Sequence, residues 1–223
     1  MSYEITKIRN VDGEVQLVPV TLKSRPYEDR VQENVINIQM FSDYSCPWCF
    51  LAEKFLESLK YEMRIEYIGI EQHPNVPAGG KEIEAGSCLK NTIRRINHRG
   101  QAFGAEIPEV KIGPNTHKAL LLGEYAKMHE KQEAFSKAAM HAYFIDGKNI
   151  SDEAVLDQLA AQLGIDDGWK NCTEKLENAL KENRRRADLY QIYSVPSFII
   201  NDTYLIRGMD DERVFEEVFE RVM

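Results

Sequence analysis

Cys46 and Cys49, separated by Pro47 and Trp48, are the residues of this chain whose types and spacing can do covalent chemistry. On a helix, positions i and i+3 lie on neighbouring parts of one face, so two cysteines at that spacing come within disulfide geometry. Residues 35–41 (VINIQMF) precede them and read as a short buried strand. Phe50, Leu51, Phe55, Leu56 and Leu59 follow at helical spacing. Cys46 therefore falls where a strand hands over to a helix, with Pro47 in the first turn, where its missing N–H costs nothing. The unpaired backbone N–H groups and the positive dipole end of that helix favour a thiolate at Cys46. Cys49 sits one turn further in, beside apolar neighbours, and is expected to be less exposed. The pattern points to dithiol–disulfide exchange, in which Cys46 attacks and Cys49 resolves the mixed disulfide.

A zinc site would need four ligands, commonly a second C-x2-C or a His pair. Cys88 and Cys172 stand alone, and His117, His129 and His141 lie twelve residues apart, so no metal is expected. Cys88 and Cys172 read as buried small hydrophobes. His117, two residues after Asn115 at a helix start, reads as a capping or core residue, and Asp43 as a turn residue. Arg94, Arg95 and Arg99, like Arg184, Arg185 and Arg186, read as solvated helix faces; the sharper alternative is that either group rings the site and favours a thiolate or an acidic substrate. Trp169, Tyr143 and Phe144 read as core.

The elements that must position the two cysteines follow from periodicity. Tyr3, Ile5 and Ile8, the turn signal Asn10-Val11-Asp12-Gly13, and Val15, Leu17, Val18 and Val20 predict a hairpin, with Pro19 confining its second arm to an edge. Ser24-Arg25-Pro26 begins a polar connection. Strand 35–41, helix 47–61 and strand 64–70 form a βαβ unit whose strands should be parallel neighbours. After a Pro- and Gly-rich loop at 73–80, residues 81–186 look helical almost throughout, including helices over 115–131 and 166–186. Ser151-Asp152-Glu153 starts another helix that Gly164 stops. Strands at 197–200 and 203–207, joined by Asn201-Asp202, and a helix over 210–223 close the chain. The organisation is a hairpin extension (1–34), a first half-sheet (35–80), a helical insertion (81–186) and a second half-sheet (187–223).

Composition bounds the rest. Of 223 residues, 43% are hydrophobic and 29% charged, ordinary for a globular protein with a core. A net charge of −8 argues against nucleic acid or an anionic membrane as partner. Residues 1–14 are polar and no run approaches the ~18 apolar residues of a membrane span, so a cytoplasmic location is expected. Four cysteines are too few for a disulfide scaffold of this size.

The order of elements, with Cys46-Pro47-Trp48-Cys49 heading the first helix, resembles the DsbA-like thioredoxin superfamily, and within it the cytoplasmic FrnE-like branch. Further matches are Phe41-Ser42-Asp43, Asn115-Thr116-His117, Ala142-Tyr143-Phe144 with Ile150-Ser151-Asp152, and Val195-Pro196-Ser197-Phe198. The likeness runs from about residue 35 to the end and implies an α/β thioredoxin fold with an inserted helical subdomain, the N-terminal β-hairpin lying outside it. It implies thiol–disulfide oxidoreductase activity with Cys46 and Cys49 as catalytic residues. It also implies a cis Val195–Pro196 bond facing them, and a substrate-binding surface of Pro47, Trp48, Val195 and Pro196. Partners would be protein or small-molecule thiols and disulfides, with glutathione an eligible co-substrate and no bound cofactor; the hairpin leaves room for pairing across a homodimer. The same superfamily includes kappa-class glutathione transferases and 2-hydroxychromene-2-carboxylate isomerases, where the active position usually carries Ser and no second Cys follows. A non-catalytic binding module is the third reading. One departure stands out: related enzymes often carry a buried acid six residues before the first cysteine, where this chain has Met40. The proton acceptor for Cys49 would then be water or Asp43.

Overall fold

The computed structural model describes residues 3–22 and 35–223, and the connection expected from Ser24 lies outside them. Its centre is strand β3 (Ile36–Ser42), whose alternating Ile36, Ile38 and Met40 and terminal Phe41 and Ser42 are all buried. Helix α1 (Pro47–Ser58) follows, then β4 (Met63–Gly69), which pairs with β3 in parallel as the βαβ reading predicts. On its other side β3 pairs antiparallel with β7 (Ser197–Ile200), which pairs with β8 (Tyr204–Arg207). Asn201 and Asp202, at φ 45° and 50°, form the tight turn between them. Beyond β8 the N-terminal hairpin of β1 (Tyr3–Val11) and β2 (Glu14–Leu22) extends the sheet, with Thr6 opposite Leu205 and Lys7 opposite Tyr204. The six strands thus run β2-β1-β8-β7-β3-β4. The hairpin covers the β8 edge and leaves β2, which runs unbroken through Pro19, as the outer strand.

The opposite edge, β4, is blunted by side chains. Gln132 accepts from the Tyr67 N–H at 3.2 Å and donates to the Tyr67 carbonyl at 2.7 Å, while Arg186 and Lys127 hold Glu66. On one side of the sheet α1 meets the closing helix α7 (Glu212–Val222) through Phe55 and Phe215, and the Phe215 ring also stacks edge-on with Phe198 of β7.

The helical block holds α2 (Cys88–Gly100), α3 (His117–Met128), α4 (Gln132–Phe144), α5 (Glu153–Gln162) and α6 (Thr173–Leu189). Asp152 caps α5 through its side chain, and Gly164 follows its end at φ 64°. Two expectations need correction. Residues 81–186 are not helical throughout: β5 (Lys81–Glu82) pairs with β6 (Ile112–Gly113), and the chain from Gly104 to Thr116, interrupted by Pro108 and Pro114, is largely irregular. The helix expected over 166–186 is broken, because Asp166 caps a separate 3-10 turn, Asp167–Asn171, before α6 begins. Trp169 in that turn, and Tyr143 and Phe144 in α4, are core as read. Small residues seat α3 closely, since a Cβ on Gly123 would lie 2.2 Å from the Tyr44 hydroxyl.

Candidate active site

The β3–β7 register sets the site. Phe41 pairs with Ser197, so the turn leaving β3 and the loop entering β7 emerge side by side at one end of the sheet. Asp43 shapes that turn. Its Oδ1 accepts from the Ser45 backbone N–H and hydroxyl, both at 2.8 Å, and its Oδ2 from the Gln72 N–H at 2.9 Å and the Thr116 hydroxyl at 3.1 Å. Asp43 is thus more than a local turn residue: it is a fully buried anchor joining three segments. Because four donors saturate its carboxylate, it has no free lone pair aimed at Cys49.

Cys46 is the N-cap of α1, with extended backbone, and Pro47 is the first helical residue. No acid sits in the first turn to oppose a negative charge there. The Cys46 and Cys49 side chains lie 3.3 Å apart, and both are free thiols. Their environments differ. Cys46 keeps 6% exposure and donates a weak S–H bond to the Val195 carbonyl at 3.7 Å, whereas Cys49 is at 0%. Burial pushes the Cys49 thiol well above the ordinary cysteine value, the Cys46 sulfur adding to the rise and the Asp43 backbone opposing it. The Val195–Pro196 bond is cis, and the Pro196 carbonyl accepts from the Gly208 N–H at 2.8 Å. Trp48 is half-buried beneath Arg95 and Arg99, whose guanidinium carbons lie 5.2 and 5.4 Å from its ring centroid. The structure therefore brings Cys46, Cys49, Pro47, Trp48, Val195 and Pro196 together.

Other residues are placed differently from their sequence reading. Cys88 is exposed and Cys172 half-buried, so neither is a buried hydrophobe. Cys88 opens α2 beside the Ser87 cap, while Ile93 and Ile96 form that helix's buried face. His117 is neither core nor cap: its ring bridges Glu71 at 3.1 Å and Glu177 at 2.8 Å. Partial burial lowers its pKa, but the hydrogen bonds to Glu177 and Glu71 outweigh this and raise it above 6.5.

One buried acid was missed. Glu53, four residues after Cys49 on α1, is 2% exposed, and its Oε2 has no hydrogen-bond partner among the described residues. Burial, reinforced by Glu57 and opposed by Lys137 and Lys54, pushes the Glu53 carboxyl from 4.5 up to about 8. A carboxyl raised on folding contributes stability that is fully present below the unfolded pKa and lost as pH rises through the folded one. Glu53→Gln, which does not titrate, is expected to match the parent near pH 4.5. At pH 7 it should be more stable by on the order of 3 kcal/mol. Urea midpoints across pH 4.5–8 check this, and parallel curves for the two proteins would refute it.

Among the described residues, no group of three or more His, Cys, Asp or Glu side chains could hold a metal ion, and no helix is long and apolar enough to cross a membrane.

Comparisons with known proteins agree with this geometry. Residues 37–220 match the family described as DSBA-like thioredoxin domain. The uncharacterized protein YwbO of Bacillus subtilis (strain 168) is 30% identical over 193 residues, spanning 82% of this chain and 94% of that protein. Among solved structures, the probable DsbA oxidoreductase SCO1869 from Streptomyces coelicolor superposes with a TM-score of 0.71 at 18% identity, over 84% of this chain and 92% of that one. The cytosolic disulfide reductase DsbM from Pseudomonas aeruginosa, solved with GSH, gives 0.56 at 18% identity, over 83% and 100%. These two likenesses are of fold.

Proposed function

The chain belongs to the DSBA-like thioredoxin domain family, and from that premise we propose that it is a cytoplasmic thiol–disulfide oxidoreductase whose redox pair is Cys46 and Cys49. The observation that carries the reading is the asymmetry of the pair. Cys46 caps a helix and keeps 6% exposure, and 3.3 Å away Cys49 is fully buried and held as a thiol.

The Cys46 thiolate attacks one sulfur of a substrate disulfide. A Cys46–substrate bond forms, the substrate S–S bond breaks, and the leaving thiolate takes a proton from water. Cys49 then gives its proton to water and its thiolate attacks the Cys46 sulfur; the Cys46–Cys49 bond forms, the Cys46–substrate bond breaks, and the second substrate thiolate leaves and takes a proton from water. Two electrons have passed to the substrate and the pair is a disulfide. Two equivalents of a small thiol such as glutathione return it to the dithiol, leaving as their own disulfide. No metal or bound cofactor takes part. Trp48 and Pro47 flank the attacked sulfur on one side, and the backbone of Val195 and Pro196 receives an extended substrate on the other. The direction follows from the compartment: a reducing cytosol keeps such a pair as the dithiol, which suits reduction or isomerisation of substrates. The solved fold neighbour described as a cytosolic disulfide reductase with GSH supports both the compartment and the small thiol. Cys49 counts against the transferase and isomerase chemistry of related folds, which needs no second thiol.

The test is the reduction potential of the pair, by equilibration with reduced and oxidised glutathione and mass-tagging of free thiols. A value near about −270 mV is expected for a reductant, against about −120 mV for an oxidase. If no Cys46–Cys49 disulfide forms at any ratio, the proposal fails.

A further inference from the structure

Helix α2 crosses α1 close enough that a Cβ on Gly100 would meet Leu51 at 3.1 Å and the Ala105 carbonyl at 2.6 Å. That contact fixes the α2 face carrying Arg95 and Arg99, which are one turn apart, over the indole of Trp48. The two arginines are not equivalent. Arg99 is committed to Glu212 at 2.6 Å and is half-buried. Arg95 is exposed and forms no ion pair among the described residues, so its guanidinium stands at the surface over Trp48, the residue two along the chain from Cys46. In a protein of net charge −8, which repels anions as a whole, this is a cation with no ion-pair partner among the described residues, held on the aromatic ring of the Cys46–Cys49 motif.

We propose that Arg95, seated on Trp48 and backed by Arg99, is a carboxylate-recognition site that selects disulfides flanked by acidic groups. The proposal rests on Cys46 being the exchanging thiol. Stacking on an aromatic face holds the guanidinium plane in place, so less freedom is lost when its paired donors engage a carboxylate. A substrate laid across Cys46 along Val195 presents its flanking groups to this side. One charge pair at ~6 Å in water is worth about threefold in rate, and reversing the charge about tenfold. Both effects should fade as the screening length falls from ~8 Å at 0.15 M salt to ~3 Å at 1 M.

The experiment is stopped-flow oxidation of the reduced full-length chain. Its substrates are two short peptide disulfides differing only in Glu or Lys beside the cysteine, glutathione disulfide, and the neutral probe 2-hydroxyethyl disulfide. The wild type is expected to prefer the Glu peptide over the Lys peptide by about tenfold at low salt. Arg95→Glu should remove or invert that ratio, and Arg95→Lys should keep part of it. Arg185→Glu, on an exposed arginine of α6 paired with Glu182, should leave it unchanged. A preference for glutathione disulfide over the neutral probe, lost with Arg95→Glu, would identify a small-molecule carboxylate; a preference confined to the Glu peptide would identify an acidic polypeptide. A wild-type ratio near one, or an Arg95→Glu variant that slows both peptides equally, overturns the carboxylate site while leaving exchange at Cys46 intact. A wild type that fails on the neutral probe as well overturns both readings.

Discussion

Replacing Cys46 with alanine is expected to lower thiol–disulfide exchange by several orders of magnitude, to the uncatalysed background. Replacing Cys49 with alanine should instead preserve the first half-reaction and accumulate a covalent adduct on Cys46. The difference follows from the geometry. Of the two, only Cys46 keeps any exposure, 6% against 0%, and it stands at the helix N-terminus, so it is the sulfur of the pair that a substrate can reach. Cys49 meets the substrate only through Cys46, from 3.3 Å behind it, and its removal takes away the group that would expel the bound substrate. Intact-mass measurement after incubation with glutathione disulfide checks this, with peptide mapping to locate the label. Mapping is needed because Cys88 is exposed and can itself be modified. An adduct on Cys46 in Cys49→Ala and none at position 46 in Cys46→Ala is the expected result. Equal rates in both variants and the parent would remove the pair from the chemistry.

The positions of these two thiols were legible because three local signals agree there: an apolar strand, a proline at the first helical position, and an apolar helical period behind it. Parallel pairing of β3 with β4 was legible for a similar reason, since the crossover rule leaves one arrangement. The missed features depend on contacts between distant parts of the chain. Nothing near Thr6 announces that it will pair with Leu205, so the hairpin's place in the main sheet was invisible. The helical pattern runs through Trp169 without a proline, and only the Asp166 cap on the Gly168 N–H reveals the break before α6. Glu53 looks like a surface residue by type. Its burial comes from what α1 packs against, which its own period does not encode. His117 likewise depends on Glu71 and Glu177, 46 and 60 residues away. Arg95 was legible as a cation, while its seat on Trp48 required the crossing of α1 and α2.

The largest expected loss of stability belongs to Asp43, and its argument is one of donors and acceptors. Four donors converge on its two carboxylate oxygens, two of them backbone N–H groups, from Ser45 and Gln72. Asp43→Asn keeps the shape and replaces one oxygen with a group that only donates. In either orientation of the amide, one backbone N–H then faces another donor. The hydroxyl on that side, from Ser45 or Thr116, can rotate to accept, but the N–H cannot. Each hydrogen bond to a charged group contributes ~1.5–3 kcal/mol, and a buried orphaned donor costs ~1–3 kcal/mol. Their combination predicts a loss of about 3–5 kcal/mol, measured as a fall in urea midpoint at unchanged slope. Exchange should slow as well, because the same carboxylate holds the turn that presents Cys46 and ties it to Gln72 and Thr116. Conversely, a variant within about 1 kcal/mol of the parent would mean that water replaces these bonds at little cost. The anchor assigned to Asp43 would then be wrong, and the position of Cys46 would have to come from α1 and the Val195 loop alone.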